Sequence, residues 1–442
     1  MRNTKNIVVL AILAISVVAG ARAFAPTNFF TPWDPALRLP PAGKSTPFRI
    51  GVNMEYGDTH NGRNWDDKKR NVLRLYDETQ AAIPALEQPS AAIDTPDFEN
   101  LIHQLRIAGW RPGGVNGGGA WDDGTRGHLL LNGKFEQFDV TPHMRYILPF
   151  KSFPGSLALS AHLPIRHAEI DNVSINDLTG SNLTGEHWPV SDYLVEQLMT
   201  SDIKGFAKRY GNLDLNNWSA TDLGDLVLMM DWGKDFPQTK EDLKNVELHL
   251  FLAVSCPTGL KRDEDKAFSM ALGNDGAWSL PFGIGIDMDF KYHIALGAEA
   301  QFEVIFDKTK TYRMKTHDYQ TEFLLLNKGR ATMDHGFFWK FYLYLQGYHF
   351  WRGLSLKAAY EYIKHDSDRL TPKTDDFSAM YANGARSLGE WYNHEFIFSL
   401  NYDFFEECKM VKPQFSFFYK LPVAGKKIIN PQTFGGQLAI NF

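Results

Sequence analysis

Segment after segment of this chain alternates apolar and polar residues one for one, over stretches longer than a soluble strand needs. Ile294, Leu296, Ala298, Ala300, Phe302, Val304 and Phe306 alternate with Ala295, Gly297, Glu299, Gln301 and Glu303. Leu280, Phe282, Ile284, Ile286, Met288 and Phe290 alternate with Gly283, Gly285, Asp287 and Asp289. Successive side chains of a strand point to opposite faces, so each such segment has one apolar and one polar face. That pattern fits a soluble sandwich or a membrane barrel, and three features favour the barrel. The segments run about ten to sixteen residues, against about five or six for a soluble strand. Their apolar faces are nearly unbroken and rich in aromatics, as in Tyr392, Phe396, Phe398, Leu400, Tyr402 and Phe404, with His394 the one polar member. Lipid-facing strands carry such aromatic girdles. Finally, the connections alternate between short (near 150–155, 234–244, 291–293, 349–353 and 405–411) and long (near 58–127, 171–221, 258–277, 307–332, 364–389 and 422–431).

These segments predict an all-β fold, a transmembrane antiparallel up-and-down barrel of about twelve strands, within two either way. The spans are 47–57, 135–149, 156–170, 223–233, 245–257, 278–290, 294–306, 333–348, 354–364, 390–404, 413–421 and 432–442. Termini and short turns then share one end, taken as periplasmic, and the long, partly helical loops share the extracellular end. The first 23 residues read as a cleaved signal peptide, with Arg2 and Lys5 before an apolar run and Ala21-Arg22-Ala23 at the cleavage site. Residues 24–46 follow as a proline-rich periplasmic or plug segment, and 47–442 form the barrel. No further helical span is expected. Composition agrees: a mean hydropathy of −0.31 excludes a helical multi-span protein. A net charge of −6 argues against a nucleic-acid binder, and two cysteines exclude a disulfide scaffold. Cys256 and Cys408 fall at opposite ends of the barrel and are expected to be free.

The last strand carries a resemblance. Phe434, Gly436, Leu438, Ile440 and the final Phe442 alternate with Thr433, Gly435, Gln437, Ala439 and Asn441. This resembles the C-terminal strand of Gram-negative outer-membrane barrel proteins of the porin-like kind, which ends in Phe and is read by the barrel-assembly machinery. The resemblance implies an outer-membrane location, contact with the lipid bilayer and that machinery as a partner. It implies no substrate and no oligomeric state.

With apolar residues facing lipid, the alternate positions line the lumen. The first three strands bring Arg49, Arg145, His162 and Arg166, beside Asp139 and His143. Strands four to seven bring Asp231, Glu247, Asp287, Asp289, Glu299 and Glu303, and strands eight and nine add Lys340 and Lys357. Opposed rows of charge set a transverse field that selects polar solutes. General porins show a similar arrangement. A barrel this narrow can equally be filled by the same charges as a salt-bridged plug. A path requires that opposite charges stand too far apart to touch. Gly283 and Gly285, facing inward beside Glu299 and Gln301, leave room for a solute, water or an inserted loop.

Two long excursions, 58–127 and 171–221, are not barrel strands. A helix is expected over 66–83, with Leu73, Tyr76, Ala81 and Ile83 as its apolar cover, and a short helix pair over 193–210. Catalytic readings find little. Outer-membrane phospholipases need a Ser–His pair on the lipid face, but Ser399 and Ser416 point inward, away from His394. The adjacent Asp334 and His335 near the outer mouth, and the pairs His143/His162 and Glu247/His249, lack a fuller catalytic or ligand set. No enzyme activity, cofactor or metal is expected. The reading is a channel for passive diffusion of small polar solutes or ions. Alternatives are a hatch-gated transporter of hydrophobic substrates, in the manner of the fatty-acid transporters, and a closed barrel anchoring surface-binding loops.

Overall fold

The computed structural model describes residues 47–81, 128–150, 154–178, 202–318, 320–351, 353–404 and 411–442. Twelve antiparallel strands close on themselves: β1 Phe48–Thr59, β2 His128–Ile147, β3 in two pieces, Ser156–His162 and Ile165–Asp177, and β4 in two pieces, Trp218–Leu223 and Leu226–Pro237. They continue as β5 Leu243–Cys256, β6 Ser279–Phe290, β7 Ile294–Ile305, β8 Phe338–Trp351, β9 Leu354–His365, β10 Trp391–Asp403, β11 Lys412–Lys426 and β12 Gln432–Asn441. Each strand pairs with its sequence neighbours. Closure comes from β1, where Ile50 stands opposite Ile440 of β12 and opposite Met144 of β2. A closed sheet has no edge, which is what lets strands cross a membrane with every backbone group paired.

The alternation sorts the faces as the sequence predicts. On β8, Leu343 is 56 % exposed and its neighbour Tyr342 1 %. On β11, Phe417 is 57 % exposed and Ser416 fully buried. The outer band is therefore apolar and aromatic, and the polar side chains turn inward.

Several spans differ from the sequence-based ones. β2 starts at His128 rather than 135, and β11 runs on to Lys426. β8 covers Phe338–Trp351, while Lys328–Asp334 belongs to a separate hairpin with Lys308–Arg313. The third strand is interrupted at Leu163-Pro164, since proline has no N–H for the ladder. β4 breaks alongside it at Gly224-Asp225. The freed groups find other partners: Gly224 donates to the Pro164 carbonyl at 2.7 Å, and Leu260 to that of Leu223 at 3.1 Å. The Asp225 carboxylate accepts from the backbone N–H of Gly259 (2.9 Å) and Asn274 (2.5 Å), tying the 257–278 loop over the gap.

At the end opposite the short turns, the long connections fold into a cap with its own core. Leu73, Leu75, Phe135, Phe206, Phe268 and Phe323 belong to one buried apolar cluster that joins loops to strand ends. A second cluster includes Tyr312, Met333, Leu370 and Leu388, around a three-stranded sheet of Lys308–Arg313, Lys328–Asp334 and Arg369–Pro372. Helix α1, Ile203–Gly211, is capped by the Asp202 side chain on Gly205 N–H. It matches the second half of the helix pair expected over 193–210; residues 193–201 lie outside the described residues. The helix expected over 66–83 does not form within the described residues of that span, 66–81. The buried Asn64 accepts from Asp66 and Lys68 N–H at 3.1 and 2.9 Å, and Asn71 caps the single turn Val72–Arg74 and holds Gly133. Asparagine side chains thus take the bonds a helix would have made. Leu73, Tyr76 and Ala81 are buried as apolar cover all the same. The signal peptide, the 24–46 segment, most of the first long loop, Ile83 and Cys408 also lie outside the described residues. Cys256 is a free thiol.

Candidate functional site

The polar interior of the barrel is the candidate site, and contact distances decide how its charges stand. Arg49 donates from Nε to Asn441 at 2.6 Å and from its terminal nitrogen to Gln414 at 3.0 Å, near the turn end. Arg145 crosses β3 to reach Asp231 of β4 at 2.5 Å, joining the basic wall to the acidic one. Arg166, 1 % exposed, pairs instead within its own wall, with Asp139 at 3.1 Å. His162 is buried and stacks on His143 with ring centres 5.7 Å apart. Lys340 and Glu361 form a buried pair at 2.7 Å. Lys357 lies over the Tyr344 ring at 5.1 Å.

On the acidic side, His249 is the organising residue. Its Nε2 is 2.8 Å from Glu299, and its Nδ1 is 3.6 Å from Asp287. Tyr344 Oη donates to Asp287 at 2.6 Å, and Gln301 to Glu299 at 2.7 Å. Glu303 accepts from Ser279 Oγ at 2.6 Å and from Asn274 at 3.0 Å. Glu247 lies beside Gly233, and Asp289 is half-buried. The expected room at Gly283 and Gly285 is occupied. A Cβ on Gly285 would lie 1.9 Å from His249 Nε2, and one on Gly283 2.3 Å from the Phe251 ring. These glycines let neighbouring side chains lie flat against the sheet.

The structure brings many of the twelve charged candidates into contact with one another or with neighbouring polar groups. The separation of signs along the sequence is largely closed by pairing rather than left as two facing rows. Sequence reasoning missed the pairs Lys420–Glu55 at 2.9 Å and His349–Asp403 at 2.5 Å. The period-two inner register carried the signal for Lys420, Glu55 and Asp403. His349 carried none, since it sits at positive φ where the pairing register of β8 shifts between Gly347 and Trp351.

The cap carries charged groups where its segments meet. Asp77 accepts from Glu322 N–H at 3.0 Å and faces Arg386 at 3.4 Å, while Glu322 accepts from Ser387 Oγ at 2.8 Å. Burial, aided by the Glu322 charge, pushes the Asp77 carboxyl up to about 6. Burial draws Arg313 down to about 10, against the opposing pull of Asp265 and Glu264.

On the outer face, His394 Nδ1 is 2.5 Å from Tyr360 Oη, and Ser399 and Ser416 are buried on the inner face. Among the described residues, no three His, Cys, Asp or Glu side chains stand where they could share a metal ion.

No protein-family model matches the chain, and no curated protein matches it in sequence. Among solved structures, it is similar to an outer-membrane channel from Pseudomonas putida F1, at 11 % identity and a TM-score of 0.50, covering 93 % of this chain and all of that one. At that identity the likeness establishes the barrel fold alone. The NanC porin (9 % identity, TM-score 0.28, 69 % of this chain and 93 % of that one) superposes too poorly to carry an argument. So does a FadL homologue from Pseudomonas aeruginosa (8 %, 0.29, 97 % and 98 %).

Proposed function

We propose that the protein is an outer-membrane channel through which small polar solutes or ions diffuse passively, with the loop cap restricting entry from outside. The barrel would cross the bilayer with its apolar face in the lipid, after export and insertion through the C-terminal strand ending in Phe442. One observation carries the reading: the inner face is polar or charged on strand after strand beneath an apolar outer face. Solutes would pass along the polar inner face, beside the contact pairs Arg145–Asp231 and His249–Glu299 and the partly exposed Asp287 and Asp289. The P. putida protein's description as an outer-membrane channel agrees with this reading.

A second reading, a closed barrel anchoring surface-binding loops, draws support from the contact pairing of Arg145 with Asp231 and of Lys340 with Glu361, and from the packed cap. Hatch-gated transport of hydrophobic substrates fits a polar lumen less well.

The test is the reversal potential of the refolded protein in a planar bilayer under a salt gradient. Asp287→Asn combined with Asp289→Asn should shift selectivity away from cations. An unchanged reversal potential in a conducting variant would remove these residues from the path.

A further inference from the structure

The cap contains a partly open cavity of about 60 Å³ between the 257–278 loop, the three-stranded cap sheet and the 379–388 segment. Its wall is mainly apolar, with Leu213, Phe323, Leu325, Met333, Leu370 and Leu388. The charged groups that reach it are nearly all satisfied from outside. Glu264 and Asp275 both hold Lys310, at 2.9 and 2.6 Å. Glu322 accepts from the backbone of Arg386 and from Ser387. Arg313 binds Asp265 at 3.1 Å and the carbonyls of Leu325 and Leu326.

Arg262 is different. Its backbone N–H reaches Asp275 at 2.9 Å, but no described group accepts a hydrogen bond from its guanidinium, and Nε is sealed from solvent without a partner. Glu264 feels its field, which helps to hold that carboxyl below the usual range against the effect of burial, but makes no hydrogen bond to it. Arg262 is half-buried, and its sealed Nε–H is a charged donor that an anion entering the cavity would help to satisfy.

We propose that this cavity binds a small organic anion, its carboxylate held by Arg262 and its short hydrocarbon tail packed against Leu213, Phe323, Met333 and Leu370. A guanidinium presents paired N–H groups that match a carboxylate. A bare inorganic anion would leave the apolar wall unfilled, and the acidic groups are already engaged, so a cation finds no free ligand there. The free volume admits on the order of five non-hydrogen atoms, the size of a three- or four-carbon acid. The site stands apart from the lumen, so it is decided independently of whether the barrel conducts.

The experiment is calorimetric titration of the full chain in lipid nanodiscs with butyrate, and in parallel with butan-1-ol and inorganic phosphate. Saturable butyrate binding is expected, with butan-1-ol and phosphate each much weaker. Arg262→Gln should weaken butyrate about tenfold or more, the worth of charge-assisted hydrogen bonds, while leaving butan-1-ol unaffected. Ala271→Leu, which keeps Arg262 but fills the cavity, should also abolish butyrate binding, and it serves if Arg262→Gln does not fold. The proposal falls if butyrate does not saturate, if either folded variant binds it as the parent does, or if phosphate or butan-1-ol binds equally well.

Discussion

The barrel and the cap are built by opposite rules. In the barrel, Leu343 and Phe417 lie outside while Lys340, Glu361 and Gln414 are buried within. In the cap, Leu73, Phe268 and Phe323 are buried and ion pairs such as Arg70–Glu78 lie at the surface. The difference follows from the solvent each region meets. The barrel's outside is shaped for hydrocarbon, so its polar groups have only the interior to go to, where they bond to one another. The cap's outside is shaped for water, so its apolar groups collapse inward in the ordinary way. Loss of a contact should therefore have different consequences in the two regions.

The largest effect is expected inside the barrel. Lys340→Met removes the ammonium 2.7 Å from the buried Glu361, and should destabilise by about 3–5 kcal/mol in urea unfolding from lipid. Adding Glu361→Met should recover most of the loss. A double variant no better than the single one would mean that the pair does not act as a unit. In the cap, Phe268→Ala removes a fully buried ring packed 5.4 Å from Phe323. The truncation is worth about 3–5 kcal/mol at most, confined to the cap. Faster proteolysis of the loops with unchanged heat-modifiable gel mobility of the barrel is expected. If both change together, the two regions are one cooperative unit and the contrast fails.

The smallest effect concerns pH. The Asp77 carboxyl stands at about 6 in the fold against an ordinary value of 3.8. Its ionised form therefore costs stability above pH 6, and that cost fades as pH falls through 6 and is gone below about 4. The corner where Asp77 meets Glu322 and Arg386 should be tighter at pH 5 than at pH 7.5. Hydrogen exchange at the Glu322 and Phe323 amides, corrected for intrinsic rates, reads this directly. Asp77→Asn should flatten the dependence, and a slope that persists in the variant would assign it to another group.

The same contrast explains what could be read from sequence. The barrel was legible because a strand facing lipid must alternate: the runs through 280–290 and 294–306 fixed both the strands and the inward set from Asp287 to Glu303. Which charges would touch was not legible, because Arg145 meets Asp231 across an intervening strand, a relation set by the register of three neighbouring strands. The cap was hardly legible at all. Its helix over 66–83 gave way to turns made by Asn64 and Asn71, and Arg262 has no periodic neighbour to mark it.

Single-channel recording of the refolded protein in a planar bilayer tests the central claim most directly. A polar lumen beneath a restricting cap predicts small, stable, ion-selective conductance steps, larger when Phe268→Ala loosens the cap. A silent bilayer for both proteins, with correct folding confirmed by heat-modifiable mobility, would contradict the channel and leave a closed barrel that carries its loops as a binding surface.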